Sequence, residues 1–196
     1  KIDLLVTLSP EQGKKNQVAG YCNLKDFAIK NNIKLLNPNN YSLKNQQDED
    51  MLKQYRLDIV LVIDISSSML ATDFKPNRLE VVKKTAKNFI KQRDGDRLGI
   101  LVFAGESFIQ CPLTIDKDVL LSLMDEISVA QQSYDGTAIG MAIANATNRL
   151  RNSESKSKVM ILLSDGSNNA GELDPSTAAD LAKQFNIKIY TIGAGT

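Results

Sequence analysis

The chain has 196 residues, of which 42% are hydrophobic, which is enough for one substantial core and compatible with one or two small domains. Its 24 basic and 23 acidic residues give a formal net charge of +1, so the charge balance does not indicate a nucleic-acid or membrane-surface partner. No stretch approaches the roughly 18 apolar residues of a membrane span, and no signal-peptide pattern opens the chain.

The reactive side chains available to this sequence are few. The chain has no histidine, which removes the usual general base near neutral pH and excludes a Ser-His-Asp or Cys-His hydrolase. Its two cysteines, Cys22 and Cys111, are far apart and lie in unlike segments. The sequence therefore predicts neither a disulfide framework nor a CxxC metal site, and both cysteines are interpreted as structural thiols.

Residues 1–56 predict a small strand–helix–strand unit ahead of a larger domain at 57–196. Lys1–Leu8 has a strand pattern, and a helix follows with Leu24 and Phe27 at helical spacing. A second short strand over Ile33–Leu36 ends at an Asn-Pro turn.

The opening of the chain has, in order, a strand, a Gly-Lys-Lys loop at Gly13–Lys15, a helix, a strand that ends at a proline, and the strand Asp58–Ile63. This order resembles part of the amino-terminal domain of methionyl-tRNA and sugar formyltransferases, over about residues 1–63. The resemblance implies a cytoplasmic origin for this part and a fusion or chimera with the domain that follows. The catalytic Asn, His and Asp of those enzymes lie beyond the matched stretch, and none of that set can be mapped here.

The stretch that organises the rest of the chain is a strand followed by a polar loop. Ile59–Ile63 is an unbroken branched apolar run, typical of a central parallel strand covered on both faces by helices. At its carboxyl end Asp64, Ser66 and Ser68 place one carboxylate and two hydroxyls at alternate positions. Such oxygen ligands suit a hard cation such as magnesium, although the same residues also form ordinary turns and helix caps.

Helices and strands are predicted to alternate after this loop. Met69 and Phe74, which flank the loop, are expected to pack beneath it rather than to form an exposed rim. The lysines of the first helix are expected to face water, and Leu181 of the last helix is expected to face the core. The predicted elements are a helix that follows Arg78, strands over Arg97–Phe103 and Ser107–Gln110, a helix over Lys117–Ser128, a helix capped by Asp174 with Pro175 at its first position, and a strand over Ile187–Ile192.

Two later polar positions also fall at loops beside buried elements. Thr137 precedes an apolar helical pattern, and Asp165 follows the strand pattern Lys158–Leu163. Ligands bind where the carboxyl-end loops of an open parallel sheet converge, at the point where strand order reverses. If the strands ending at Asp64 and Asp165 are neighbours, the five polar residues Asp64, Ser66, Ser68, Thr137 and Asp165 share one crevice.

The combination of Asp-x-Ser-x-Ser, a later Gly-Thr before a helix and a still later Ser-Asp-Gly resembles the metal-ion-dependent adhesion site of von Willebrand factor A domains. The resemblance covers about residues 57–196 and is closest to the Bat-type (aerotolerance) bacterial members. Asp73 and Asp135 are candidates for carboxylates that support the ligands, or for turn residues. The stretches that look like the Bat subgroup are Met69–Arg78, Gly95–Gly105, Gln110–Thr114 and Gly136–Gly140.

The resemblance implies an α/β fold with a doubly wound, mostly parallel, Rossmann-like sheet. A complete domain of that family continues with another helix, a sixth strand and a terminal helix, so we expect one edge of this sheet to be unfinished. Bat-type relatives are usually membrane-anchored with this domain outside the bilayer, which implies a soluble domain of a bacterial membrane protein and conflicts with the cytoplasmic hint of residues 1–63.

The resemblance also implies a metal site and a partner. Ser66, Ser68 and Thr137 would ligate a divalent cation directly, while Asp64 and Asp165 would act largely through metal-bound water. The expected ion is Mg²⁺, with Mn²⁺ or Ca²⁺ as alternatives. A protein partner would complete the coordination with an acidic side chain, so the chain is expected to be a binding module and not an enzyme.

Two alternatives stay open at this point. The first is an enzyme, either a formyl-transfer remnant or a phosphoryl-transfer site with Asp64 as nucleophile. Phosphatases with a strand-end Asp normally carry a second Asp two residues on as acid and base, and that position is Ser66 here. The second alternative is a structural fragment whose metal loop binds nothing.

Overall fold

The structure is a computed structural model that describes residues 4–6, 25–30, 34–36 and 56–195. It divides the chain into two compact units, Lys1–Tyr55 and Arg56–Thr196. In the first unit, strands β1 (Leu4–Val6) and β2 (Lys34–Leu36) pair in parallel with helix α1 (Lys25–Lys30) between them in sequence. The outer limits predicted for these elements, and Cys22, lie outside the described residues, and the formyltransferase resemblance stays a prediction.

The second unit alternates strands and helices along the chain. Short 3₁₀ turns at Ser67–Leu70 and Gln132–Tyr134 lie between the longer elements. The longer elements are β3 (Leu57–Asp64), α2 (Arg78–Lys91), β4 (Arg97–Phe103), β5 (Ser107–Thr114), α3 (Lys117–Asp125), α4 (Ile139–Leu150), β6 (Ser157–Ser164), α5 (Pro175–Gln184) and β7 (Ile187–Gly193).

These strands form one five-stranded sheet in the order β5-β4-β3-β6-β7. All neighbours are parallel except the β4–β5 pair, which is antiparallel and puts β5 at an edge. The predicted doubly wound, mostly parallel sheet is confirmed, and strand order reverses between β3 and β6. Because β4 and β6 both flank β3, the carboxyl end of β3 lies at the reversal point, where ligands bind in such sheets.

The core has two layers because successive side chains of β3 point to opposite faces of the sheet. Ile59, Leu61 and Ile63 pack with helices α2 and α3, while Val60 and Val62 pack with α4 and α5. Burying one such branched side chain is worth about 1.5–3 kcal/mol, so this strand holds both helical layers to one sheet.

Capping side chains fix the starts of two helices, and one of them, Asp174, is the cap that the sequence predicts. The Asn77 side chain accepts a hydrogen bond from Glu80 N at the start of α2, and Asp174 accepts from Ser176 N and Thr177 N at the start of α5. Gly140 near the start of α4 lies so close to the chain before α5 that an added Cβ would be 1.9 Å from the Leu173 carbonyl oxygen.

At the amino-terminal end of β3, a buried carboxylate is fully paired. Asp58 is 0% exposed and accepts hydrogen bonds from the Arg97 guanidinium, with Nε to Oδ1 at 2.8 Å, and from the Ser153 hydroxyl. Burial alone would raise the pKa of Asp58, but the bonds and charge of Arg97, together with the Ser153 bond, hold that pKa below its ordinary value. This network stabilises the ionised carboxylate at the amino-terminal end of the strand, and the polar loop that follows Asp64 lies at its carboxyl end.

Two predicted orientations are wrong. Lys83 of α2 is only 7% exposed, because its ammonium donates to the carbonyl oxygens of Asp125 and Ile127 at 3.2 and 2.8 Å and so caps the end of α3. Leu181 of α5 is 37% exposed, because the buried line of that helix runs through Ala178 and Ala182 and leaves Leu181 at its border.

Two further features are simple to place. Cys111 is a free, buried thiol on β5, as expected for a structural cysteine. Within the described residues, no helix is long and apolar enough to cross a bilayer.

Candidate metal centre

The loop after β3 folds its polar side chains toward one point. Asp64, the last residue of β3, is 0% exposed; its Oδ1 accepts from Ser66 N at 2.9 Å and its Oδ2 from the Ser164 hydroxyl at 2.6 Å. The turn at Ser67–Leu70 then brings the Ser66 and Ser68 hydroxyl oxygens within 3.0 Å of each other. Alternate positions of the loop therefore share one side of it.

Asp165 reaches the same point from the neighbouring strand. It follows Ser164, the last residue of β6, and β6 pairs directly with β3. The Ser68 hydroxyl donates to Asp165 Oδ1 at 2.8 Å. The strands that end at Asp64 and Asp165 are thus neighbours, and their loops meet at the point where strand order reverses.

Thr137 is brought to this crevice by a loop that is fastened on two sides. Thr137 N donates to Asn169 Oδ1 at 2.8 Å, Asn169 N donates back to Thr137 O at 3.1 Å, and Ala138 N donates to Ala104 O at 2.8 Å. A Cβ added at Gly166, next to Asp165, would lie 3.7 Å from Thr137 Oγ1. The side chain of Thr137 therefore lies beside the Asp165–Gly166 corner, one residue before the helix cap at Ala138.

Asp135 connects the segment before Thr137 to the loop after β3 by hydrogen bonds. Its Oδ1 accepts from Ser67 N and from Gly136 N, both at 2.9 Å, and its Oδ2 accepts from the Ser67 hydroxyl at 2.5 Å. The Ser67 hydroxyl and these backbone donors lower the pKa of Asp135. Asp135 thus supports the site from outside rather than facing into it.

Arg78 is the residue that sequence reasoning missed. Its Nη1 donates to Asp165 Oδ2 at 2.6 Å, while its Nε and Nη2 donate to the two oxygens of Asp73 at 2.8 and 2.9 Å. These carboxylates raise the pKa of Arg78. Arginine in the first turn of a helix is disfavoured by the helix dipole, and this local conflict is the signal that could have indicated a special role.

Close packing holds the Arg78 guanidinium in place. A Cβ added at Gly195 would lie 3.0 Å from its central carbon, so the backbone of Gly195 lies against the guanidinium. The Asp165 side chain is 0% exposed; its Oδ1 accepts a hydrogen bond from Ser68 and its Oδ2 accepts one from Arg78. Arg78 therefore fixes which oxygen of Asp165 faces the serine hydroxyls.

The electrostatics of Asp64 differ from those of Asp165. Both Asp64 oxygens accept from neutral donors, Ser66 N–H and the Ser164 hydroxyl. Burial raises the pKa of Asp64 above the ordinary aspartate value; the hydrogen bonds from Ser164 and Ser66 oppose that rise and the charge of Asp165 adds to it. A buried carboxylate in this condition is stabilised by any cation that approaches it.

The two flanking hydrophobic residues behave differently. Met69 is 0% exposed and packs in the core beneath the loop, as predicted. Phe74 is 37% exposed, so the prediction that it also packs beneath the loop is wrong; it belongs to the segment before α2 that Asp73 and Arg78 hold at the surface.

The donor set fits a hard divalent ion. Two serines and two aspartates are joined by hydrogen bonds, and the Thr137 side chain lies beside Gly166, next to one of the aspartates. Oxygen ligands in such numbers, with water, suit Mg²⁺. Across the described part of the chain, no three aspartate, glutamate, histidine or cysteine side chains come together as a metal-binding group, so an ion here depends on the hydroxyls. Asp64, Ser66 and Thr137 are buried, whereas Ser68 is exposed, which leaves one side of the crevice open to water.

Comparison with known proteins decides the family. Residues 58–196 match the model of the von Willebrand factor type A domain. The chain belongs to this family. The matched stretch contains the whole crevice from Asp64 to Asp165, and the strand order found here is the one that places those two residues side by side.

Relatives and solved structures agree with this assignment. An uncharacterised protein of Borreliella burgdorferi is 37% identical over 140 residues, which are 71% of this chain and 41% of that protein. The chain thus spans about two fifths of the length of that relative.

Two solved structures belong to the predicted aerotolerance subgroup. An aerotolerance-related membrane protein from Bacteroides fragilis, with multiple mutations to serines, has a TM-score of 0.65 and 31% identity, covering 71% of this chain and 68% of its own. BatB, a conserved hypothetical protein from Bacteroides thetaiotaomicron, has a TM-score of 0.64 and 34% identity, covering 70% and 66%. The Bat-type resemblance of this von Willebrand factor A domain is confirmed.

Proposed function

We propose that this von Willebrand factor A domain is a divalent-cation-dependent protein-binding module. Ser66, Ser68 and Thr137 would hold a magnesium ion directly, and Asp64 and Asp165 would hold it largely through bound water. The observation that carries the proposal is the meeting of these five side chains at one crevice with an open side. When bound, the ion supplies a Lewis-acidic position that an acidic side chain of a partner completes.

The charge arrangement supports an external anion as the final ligand. The directly ligating groups are neutral hydroxyls, and one of the two carboxylates, Asp165, already shares an oxygen with Arg78. The ion would therefore keep much of its positive charge and attract a further carboxylate. Ser68 lies at the exposed side of the crevice, which is where a partner can reach the ion.

The same geometry argues against phosphoryl transfer with Asp64 as nucleophile. Both oxygens of Asp64 are engaged by Ser66 N and the Ser164 hydroxyl, and the side chain is fully buried. The position that normally carries the acid and base is Ser66, whose hydroxyl lies 3.0 Å from that of Ser68. This arrangement suits ligation better than proton transfer, so we propose that the domain is not an enzyme.

Titration calorimetry with Mg²⁺ and with Mn²⁺ tests the metal site. Ser66→Ala removes one hydroxyl ligand, and Ser122→Ala removes an exposed hydroxyl on α3 as a matched control. We expect saturable binding in the intact chain and in Ser122→Ala, with binding lost in Ser66→Ala. Equal binding in all three proteins, or none in the intact chain, would refute the site.

A second measurement tests the open position. Mn²⁺ bound to the chain enhances the relaxation of water protons if water can reach the ion, and a carboxylate-bearing ligand that displaces this water lowers the enhancement. We expect strong enhancement in the loaded intact chain. An enhancement no greater than that of a fully enclosed ion would contradict a position open to a partner.

A further inference from the structure

An aromatic pair lies beside the candidate metal centre and has no role in the coordination argued above. Phe108 is 50% exposed and Tyr134 is 46% exposed, and their rings meet edge to face with centroids 6.4 Å apart. We call this pair the aromatic rim. Large apolar side chains that are exposed together mark interaction sites more often than isolated ones do.

The aromatic rim is held rigidly by the backbone around it. Gly105 N donates to the Tyr134 carbonyl at 2.8 Å, and a Cβ added at Gly105 would lie 2.8 Å from the Asp135 carbonyl oxygen. Phe108 is fixed on β5, opposite Val102 of β4. The backbone of both residues is therefore held by neighbouring segments, which limits the conformational freedom lost when a ligand covers the pair.

The rim is continuous with the metal loop. Asp135, directly after Tyr134, accepts hydrogen bonds from the backbone and the hydroxyl of Ser67, which lies between Ser66 and Ser68. Thr137, a proposed metal ligand, follows two residues after Asp135. One short segment thus contains the exposed ring of Tyr134, the Asp135 side chain that bonds to Ser67, and the proposed metal ligand Thr137. A partner that reaches the ion therefore also reaches the rim.

We infer that the aromatic rim is a second contact surface for the protein that completes the metal site, and that this partner carries an aromatic or aliphatic side chain close in sequence to its metal-binding carboxylate. This inference rests on the proposed function. The two uncharged rings offer no counter-charge to a carboxylate, so the acidic group is directed to the ion and the apolar side chain to the rim.

The physical reason for such a pairing is water exclusion. A carboxylate on an exposed cation competes with bulk water, where the high dielectric constant weakens the attraction. Apolar side chains that surround the contact exclude that water. The hot spots of protein interfaces are usually surrounded by contacts of this kind. Aromatic rings provide large contact area at a small cost in side-chain freedom, and their edges accept further rings.

A random heptapeptide library displayed on phage supplies the probe. The library is panned on the full Mg²⁺-loaded chain, bound phage are released with EDTA, and the enriched peptides are synthesised. Their affinities are then measured by fluorescence anisotropy for the intact chain, Phe108→Ala, Tyr134→Ala and the control Ile115→Ala. The control removes an exposed aliphatic side chain away from the rim. Calorimetry records Mg²⁺ affinity for each variant.

We expect EDTA-released peptides that combine Asp or Glu with a nearby aromatic or aliphatic residue. Their affinity should fall about tenfold in Phe108→Ala and in Tyr134→Ala, and stay unchanged in Ile115→Ala, while all variants bind Mg²⁺ equally. Acidic peptides without an apolar preference, or peptides insensitive to the rim variants, would overturn the inference and leave the proposed function intact.

The remaining outcomes also decide between the two claims. An intact chain that binds no Mg²⁺ refutes the proposed function, and the inference with it. A chain that binds Mg²⁺ but releases no peptide with EDTA overturns the inference, because a preformed ion and rim should capture such peptides. Self-association that sedimentation shows to be lost in Phe108→Ala would assign the rim to a second copy of this chain, which also overturns it.

Discussion

Replacing Asp64 by asparagine separates the metal role of this residue from its structural role. Asn has the same shape and can still accept the Ser66 N–H, but it carries no charge. Burial raises the pKa of Asp64, so the ionised carboxylate is disfavoured in the metal-free fold. We therefore expect Asp64→Asn to be at least as stable as the intact chain without metal and to lose metal-dependent stabilisation.

The size of the effect follows from linkage and from the size of the unit. A ligand that binds only the folded state at a hundredfold excess over its Kd adds about 2.7 kcal/mol. The unit Arg56–Thr196 has about 140 residues, for which the entropy of unfolding is about 0.3 kcal/mol/K. The melting temperature of the intact chain should therefore rise by about 9 °C on saturation with Mg²⁺, while that of Asp64→Asn should scarcely change.

Calorimetric melting of the intact chain and of Asp64→Asn in EDTA compares their metal-free stability. Melting of both proteins in Mg²⁺ then measures the metal-dependent rise in melting temperature. Ser122→Ala, on the outer face of α3, is the control and should match the intact chain. A metal role for Asp64 would be refuted if Asp64→Asn melts well below the intact chain in EDTA, or if it keeps the Mg²⁺-dependent rise.

Lys83→Met should lower the free energy of unfolding by about 1–3 kcal/mol in urea titrations, because two carbonyl oxygens at the end of α3 lose their donor, while Lys84→Met should change it little. The folded-state pKa of Asp58 lies below the ordinary 3.8. The stability that its charge contributes is therefore present above about pH 4 and is lost as the pH falls below that value. The difference in unfolding free energy between the intact chain and Asp58→Asn should accordingly become smaller on acidification. Gly105→Ala should weaken Mg²⁺ binding measured by calorimetry, because its Cβ would displace the segment leading to Thr137, and an unchanged affinity would contradict the placement of that segment.

Much of the fold could be predicted because its signals are local. The apolar run Ile59–Ile63 identified the central strand, and the position of Asp174 before Pro175 identified the start of α5. The convergence of ligand loops where strand order reverses predicts one crevice on the condition that the strands ending at Asp64 and Asp165 are neighbours, and the sheet meets that condition.

The features that sequence reasoning missed depend on contacts between distant elements. Lys83 has the pattern of a solvated lysine, and only the packing of α2 against α3 turns it into a cap. Arg78 is 87 residues away from Asp165, and no periodicity connects the two. The residue type of Phe74 predicts a core position, but its segment lies at the surface. Burial on a helix border and long-range ion pairs are set by tertiary structure.

Anomalous diffraction from crystals of the full chain soaked in Mn²⁺ shows directly whether an ion binds between the side chains of the candidate metal centre. We expect one strong peak at coordination distance, about 2.0–2.2 Å, from the hydroxyl oxygens of Ser66, Ser68 and Thr137, with Asp64 and Asp165 around it. A peak elsewhere on the chain, or an empty crevice at saturating Mn²⁺, would contradict this metal site.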